Sequence, residues 1–192
     1  MNTNKTLSEY STDEIVEVYN ELLRYDRQIK EGGAIASAAV LPDYPFTLDD
    51  AQKELYLRRE QESKLTPAQK IEVALPHFIG SIDYYNDGMG FFHTDGIQFL
   101  AETAGAHWLI DTLRSWQIDR HVRQEEFQVW TLKVNLDKKS ATLIGDDGNH
   151  KVIARQQIQY TDFPLPEIKL YVEHGCIDGK NECLVCLLPS EH

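Results

Sequence analysis

Basic side chains are scarce in this chain: lysine and arginine number 19 against 31 aspartates and glutamates, for a formal charge of −12 over 192 residues. Acids outnumber bases on both sides of Pro76. A surface of that sign repels phosphate, so nucleic-acid binding is disfavoured, whereas a basic protein partner would be steered towards it. Cysteine is sparse as well. Three of them, an odd number, suit a reducing compartment better than a disulfide framework. No apolar run approaches the roughly 18 residues of a membrane span, and no charged-then-apolar leader opens the sequence. The expected location is the cytoplasm, with no membrane attachment. Signatures of common chemistry are missing too: there is no HExxH zinc helix, no GxSxG elbow and no glycine-rich phosphate loop. Catalysis is not indicated.

What is present is the composition of a folded protein, 42% hydrophobic and 10% aromatic, with length for one ordinary domain plus an appendage. From Thr12, TDEIVEVYNELLRYDRQIKE places Ile15, Val18, Tyr19, Leu22 and Ile29 at helical spacing, with acids in the first turn, until Gly32 and Gly33 stop it. A connection through GGAIASAAVLPDYPF leads to a charged helix over roughly 48–62 and a short one over about 67–75, opened by Thr66 and Pro67. Residues 1–75 therefore read as a helical N-terminal extension. After Pro76 the period changes from 3.6 to 2, which marks residues 76–192 as an α+β domain.

Within that domain HFIGSIDYY and GMGFFH read as a hairpin turning at Asn86, Asp87 and Gly88. Phe91–Gln117 then carries the longest helical pattern in the chain, capped by Thr94 or Asp95. Its apolar face consists of Ile97, Leu100, Ala101, Ala104 and Trp108. Strands follow at FQVWTLKVNL, with Gln128, Trp130, Leu132, Val134 and Leu136 on one face, then at ATLIG, KVIARQQIQYTD, IKLYV and CLVCLL. Connections this short make antiparallel hairpins. The expected architecture is a meander sheet of five to seven strands with one long central helix, 95–116, packed on it.

FIG near Phe78, HTDGIQFLAETAGAHWLID from His93, QVWTLKV from Gln128, DGN from Asp147, IQYTDFPLPEIKLY from Ile158 and LLPSE from Leu187 occur in one order from Phe78 to His192. In those segments the chain resembles an uncharacterised bacterial domain family of unknown function, met in plasmid-bearing and phage-bearing genomes. The resemblance implies no activity, and residues 1–65 lie outside it. It implies a mobile-element setting, and with it an accessory or inhibitor that works through protein contacts.

Three constellations could carry chemistry. His107 and Asp111, four apart on the central helix, together with His93 just before it, could form an acid–base or metal site of a small-ligand enzyme. His174, Cys176, Cys183 and Cys186 gather in the last hairpin, where a turn over Asp178–Asn181 sets Cys176 opposite Cys183 and His174 opposite Val185. Zinc is the cofactor such a set would take, although Cys186 at an odd offset points to the other face unless CLVC bends, and packed thiols need no cofactor. Among the polar residues of the matched segments, Asp95, Trp130 and Asp162 are candidate contact residues, with cap and turn chemistry as the alternative for the two aspartates. The appendage adds Glu14, Glu17 and Glu21 on one helix as an acidic surface for a basic protein partner. Oligomeric state leaves no sequence signal.

Overall fold

The structure is a computed structural model in which residues 6–30, 44, 46–177 and 179–192 are described. The Gly32–Gly33 stop, most of the connection beyond it, the side chain of Ile29 and Asp178 of the last turn lie outside the described residues. Among the described residues no helix is long and apolar enough to cross a membrane. The chain divides into two compact units at Leu65/Thr66.

In the first unit α1 (Thr12–Lys30) opens with a reciprocal cap: Ser11 N donates to Glu14 Oε2 at 2.7 Å while Glu14 N donates to Ser11 Oγ at 3.1 Å. Thr47 and Asp50 repeat the device for α2 (Leu48–Lys64). Ile15 of α1 and Ala51 of α2 are fully buried and pack with Tyr10.

The second unit begins ten residues before the composition change at Pro76, because α3 (Pro67–Ala74) packs on the helix that follows the first hairpin. Ile71 of α3 is buried in the main core. The described residues form a seven-stranded sheet from β1 (Tyr84–Gly88), β2 (Phe91–Thr94), β3 (Phe127–Asn135), β4 (Ser140–Asp146), β5 (Val152–Ile158), β6 (Glu167–Gly175) and β7 (Cys183–Leu187), in the order β1-β2-β7-β6-β3-β4-β5. Alternation sends Gln128, Trp130 and Leu132 of β3, Ala141 and Leu143 of β4, and Leu170 and Val172 of β6 to the buried face. Leu136 does not join them. Asn135 Oδ1 accepts from Lys138 N at 2.9 Å, which starts the turn and leaves Leu136 exposed.

The meander is confined to β3-β4-β5. Between β5 and β6 the chain returns across the sheet, pinned by Thr161 N donating to Lys139 O and Val134 N donating to Pro166 O, both at 2.8 Å, with Phe163 and Leu165 buried. That return lets β6 pair with the other edge of β3, and β7 then pairs with β6. The remaining edge of β7 is taken by β2 in parallel, Phe91 beside Leu184 and His93 beside Cys186. Only the hairpin pairs are foreshadowed by short connections. The first hairpin also turns later than expected: Asn86 and Asp87 stay in β1, and Met89 and Gly90, with φ of 58° and 72°, form a two-residue loop.

The expected single helix is two helices of ten residues each, α4 (Asp95–Ala104) and α5 (His107–Trp116), followed by a turn of helix, α6 (Arg120–Arg123). Gly105 adopts φ 63°, ψ 34°, and Ala106 N donates to Ala101 O at 2.7 Å, closing α4 with a left-handed cap. Interior glycine is merely tolerated in a helix, but glycine that can reach the left-handed region ends one at little cost. After the break Trp108 is only partly buried, and Trp130 is the tryptophan at the centre of the core. Gly105→Ala should cost about 1–2 kcal/mol, the left-handed penalty for an L residue. Chemical denaturation should show a lower midpoint with an unchanged slope.

Candidate functional site

The two matched segments TDG and LLPSE, far apart in sequence, meet at the start of α4. Thr94 is the cap: its Oγ1 accepts from Ile97 N at 3.4 Å and donates to Glu191 Oε2 at 2.7 Å. Glu191 also accepts from Gly96 N at 3.2 Å, Ser81 Oγ at 3.2 Å and Leu188 N at 2.8 Å. A carboxylate here is favoured by the positive end of the helix as well as by its donors. Gly96 is what admits it, since a Cβ at that position would stand 2.7 Å from both Glu191 Oε1 and Leu188 Cδ1. Asp95, the other expected cap, leaves Oδ1 buried with no hydrogen-bond partner. The carboxylate that satisfies this terminus comes from residue 191.

One residue earlier His93 is held on three sides. Its Nδ1 donates to Asp87 Oδ2 at 2.6 Å, Tyr85 stacks on the ring at 5.2 Å, and Nε2 faces Gln98 Oε1 at 2.8 Å. Gln98 cannot turn its amide round without losing the bond it donates to Glu102 Oε1 at 2.6 Å. Both imidazole nitrogens are therefore engaged by side chains. The ring is 4% exposed. A histidine so engaged offers a lone pair neither to a metal nor to a substrate proton. Asp111, expected beside His107, pairs with Arg114 Nη2 at 2.9 Å, and Arg114 also donates to the Asp87 carbonyl. His107 is exposed. His93 and Asp111 are thus linked through Asp87 and Arg114, not gathered with His107 round an open cleft.

The last hairpin is one residue out of the expected register. Gly175 faces Cys183, and His174 faces Leu184, where its Nε2 donates to Arg123 O at 3.0 Å. A one-residue slip exchanges faces. Cys183 packs with Val185 and Leu187 on one side of the sheet, Cys186 with the main core on the other, and Cys176 lies beyond the strand end. Among the described residues no three His, Cys, Asp or Glu side chains come together as metal ligands do. Cys186 sits beside His93 in the parallel ladder, with Asp87 nearby, which superficially suggests an activated thiol. The environment works the other way: complete burial first, then the charges of Asp87 and Glu191, push the thiol far above its ordinary range. It is a neutral, packed group.

A concave surface does exist elsewhere in this unit. Glu126, Phe127, Glu173, His174, Glu182 and His192 line an open cleft of about 670 Å³ where β3 begins and β6 ends. Phe127, Tyr171 and His192 pack edge to face beside it, with centroids 4.8 to 5.7 Å apart, and His192 Nε2 lies 3.3 Å from Glu173 Oε2. Of the described residues lining the cleft, none is a lysine or arginine.

A model of a family of unknown function, DUF6876, matches residues 69–192, well over half of the chain. The chain belongs to that family. No curated protein and no solved structure matches it. The DUF6876 segment contains both the Glu191 junction and the cleft, and it starts within α3, close to the boundary between the two compact units.

The remaining expected contact residues are scattered. Trp130 of the DUF6876 core is 1% exposed and donates Nε1 to Gln128 Oε1 at 2.9 Å, so it is enclosed in a buried amide network with Gln117 and meets no partner. Asp162 is exposed, and the turn bond expected of it is made by Thr161, whose Oγ1 accepts from Phe163 N at 3.1 Å. In the first unit Glu14 caps its own helix, Glu21 accepts from Tyr44 Oη at 2.6 Å, and Glu17 is exposed. That hydrogen bond, helped by burial and the charges of Glu21 and Glu17, pushes the Tyr44 phenol up to about 12. Asp87, Gln98, Arg114 and Glu191 escape sequence reading because each acts across the fold, although Gly96 and Glu191 both lie in the matched segments.

Two outcomes follow from this geometry. Glu191→Ala should cost about 2–3 kcal/mol through loss of charge-assisted bonds, and Gly96→Ala about 1–3 kcal/mol through overpacking. The double variant should lose less than the sum in equilibrium unfolding, because removing the carboxylate makes room for the methyl. In thiol labelling of the native protein, exposed Cys176 should react first and Cys186 only after denaturation, as peptide mapping will show.

Proposed function

We propose that this protein acts by binding a basic protein partner rather than by catalysing a reaction, as an accessory or inhibitor of the kind carried on plasmids and phages. The observation that carries this reading is the cleft at the β3–β6 end, where three carboxylates from Glu126, Glu173 and Glu182 surround an aromatic wall without a lysine or arginine among its described lining. Such a surface rewards a guanidinium or ammonium side chain twice, through charge and through the ring faces. The net charge of −12 extends the attraction to the approach of the partner. Against catalysis stands the state of His93, whose nitrogens are both engaged by Asp87 and Gln98.

The test is surface-plasmon resonance with the full chain and a blocked arginine-rich decapeptide at several salt concentrations. Association should slow as salt rises. The triple variant Glu126→Gln, Glu173→Gln, Glu182→Gln should lower the on-rate by about tenfold while changing the off-rate much less. Binding indifferent to salt and to these substitutions removes the cleft from the reading.

A further inference from the structure

The sheet has two outer strands, and they are protected very differently. Natural edges are blunted with bases, prolines or covering elements, because a strand with one neighbour leaves a row of backbone donors and acceptors without a ladder. At the β5 edge, Lys151 precedes the strand and Arg155 stands exposed within it. At the β1 edge, the segment from Ile79 to Gly90 contains no lysine, arginine or proline, and protection is confined to the end of the strand, where a bulge lies between Asn86 and Gly88, Asn86 Oδ1 accepts from Gly88 N at 2.7 Å and Arg114 donates to the Asp87 carbonyl. The same segment exposes apolar surface: Ile82 is 89% exposed, Ile79 81%, Met89 70%, and Tyr84 and Tyr85 about two-fifths. Scattered apolar residues on a surface are ordinary, but five within eleven consecutive positions, in the edge strand and just before and after it, are a patch.

We propose that β1 is a docking edge which takes an extended segment of a partner protein, alternating apolar and basic side chains, as an eighth strand. This rests on the reading that the chain binds protein, and it names the kind of segment bound. Asp87 is engaged by His93, so the exposed negative charge the segment offers is that of Asp83, which favours lysine or arginine on the incoming strand, whereas a second copy of this edge would bring acid to acid. The strand is also ordered in advance. Asp87 is held by His93, Tyr85 is stacked on the same ring, and Arg114 grips the Asp87 carbonyl, so little conformational entropy remains for a partner to remove. At the hairpin tip Leu184 N donates to Gly90 O at 2.8 Å, which brings the tip beside the start of β7 and to the end of the sheet where Glu182 lines the acidic cleft. A basic strand on β1 can run on towards those carboxylates. Main-chain bonds supply affinity in this mode, and side-chain pockets supply choice.

A blocked peptide of alternating lysine and valine, with a glutamate–valine peptide as control, provides the probe against the full chain. Hydrogen exchange at Tyr84–Gly88 should slow on addition of the lysine peptide only. The double variant Ile82→Lys, Tyr84→Lys, at exposed positions that leave the melt unchanged, should weaken binding by about tenfold or more, a loss of about 1.4 kcal/mol or more. Three results overturn the proposal: no protection of β1 by either peptide, equal protection by both, or protection of β1 in the protein alone that rises with its concentration and marks a second copy as the occupant. If the lysine peptide binds but only the Glu126, Glu173 and Glu182 substitutions weaken it, the edge inference fails while the protein-binding reading stands.

Discussion

The carboxylate of Glu191 is the constraint on which the domain's geometry turns. It accepts bonds from Thr94, Gly96, Ser81 and Leu188, and so joins the cap and first turn of α4, the segment before β1 and the segment after β7 at one point. The parallel alignment of β2 with β7 delivers Glu191 to that point, and the missing side chain at Gly96 lets it in. Take away the glycine and the carboxylate has no room; take away the carboxylate and the first turn of α4 keeps donors that Thr94 alone does not satisfy. The TDG and LLPSE segments, both inside the DUF6876 region, thus meet in a structural joint.

Local features of the fold were legible. Capping boxes at Thr47 and Thr66, period-2 alternation through Trp130, and tight hairpins between β3 and β4 and between β4 and β5 all arise from neighbours in sequence. Two features were not. Gly105 falls inside the helix expected over 95–116 because its identity does not say which side of φ = 0 it will occupy, and the left-handed cap decides the matter. The return of the chain between β5 and β6 depends on Phe163 and Leu165 finding the core, a tertiary event that no spacing announces.

The candidate sites follow the same division. Sequence spacing placed His107 and Asp111 on one helical turn correctly, yet Arg114 is the better partner for Asp111 because it reaches Asp87 as well. The cysteine hairpin depended on a register that one residue of turn length reverses: the pairing of Gly175 with Cys183 leaves Cys176 beyond the strand end, while the odd offset of Cys186 puts it on the other face, as expected. His93 stood out in the sequence, but its partners Asp87 and Gln98 came from a strand and a helix that only the folded hairpin brings together. The cleft was invisible for another reason: Glu126, Glu173 and Glu182 belong to three separate segments and form no motif.

The parallel β2–β7 pair also sets a timetable for synthesis. During translation β1, β2 and α4 are made long before β7, and bonds such as Thr94 to Glu191 span 97 positions. Until β7 arrives, β2 has an open inner edge and α4 an incomplete first turn, while β3, β4 and β5 can zip up locally as they emerge. A chain that lacks β7 has the local β3-β4-β5 pairings but not the strand that joins β2 to β6. Slow insertion would leave the β2 edge available to other chains, which makes the interval before β7 docks the period of greatest exposure to misassembly.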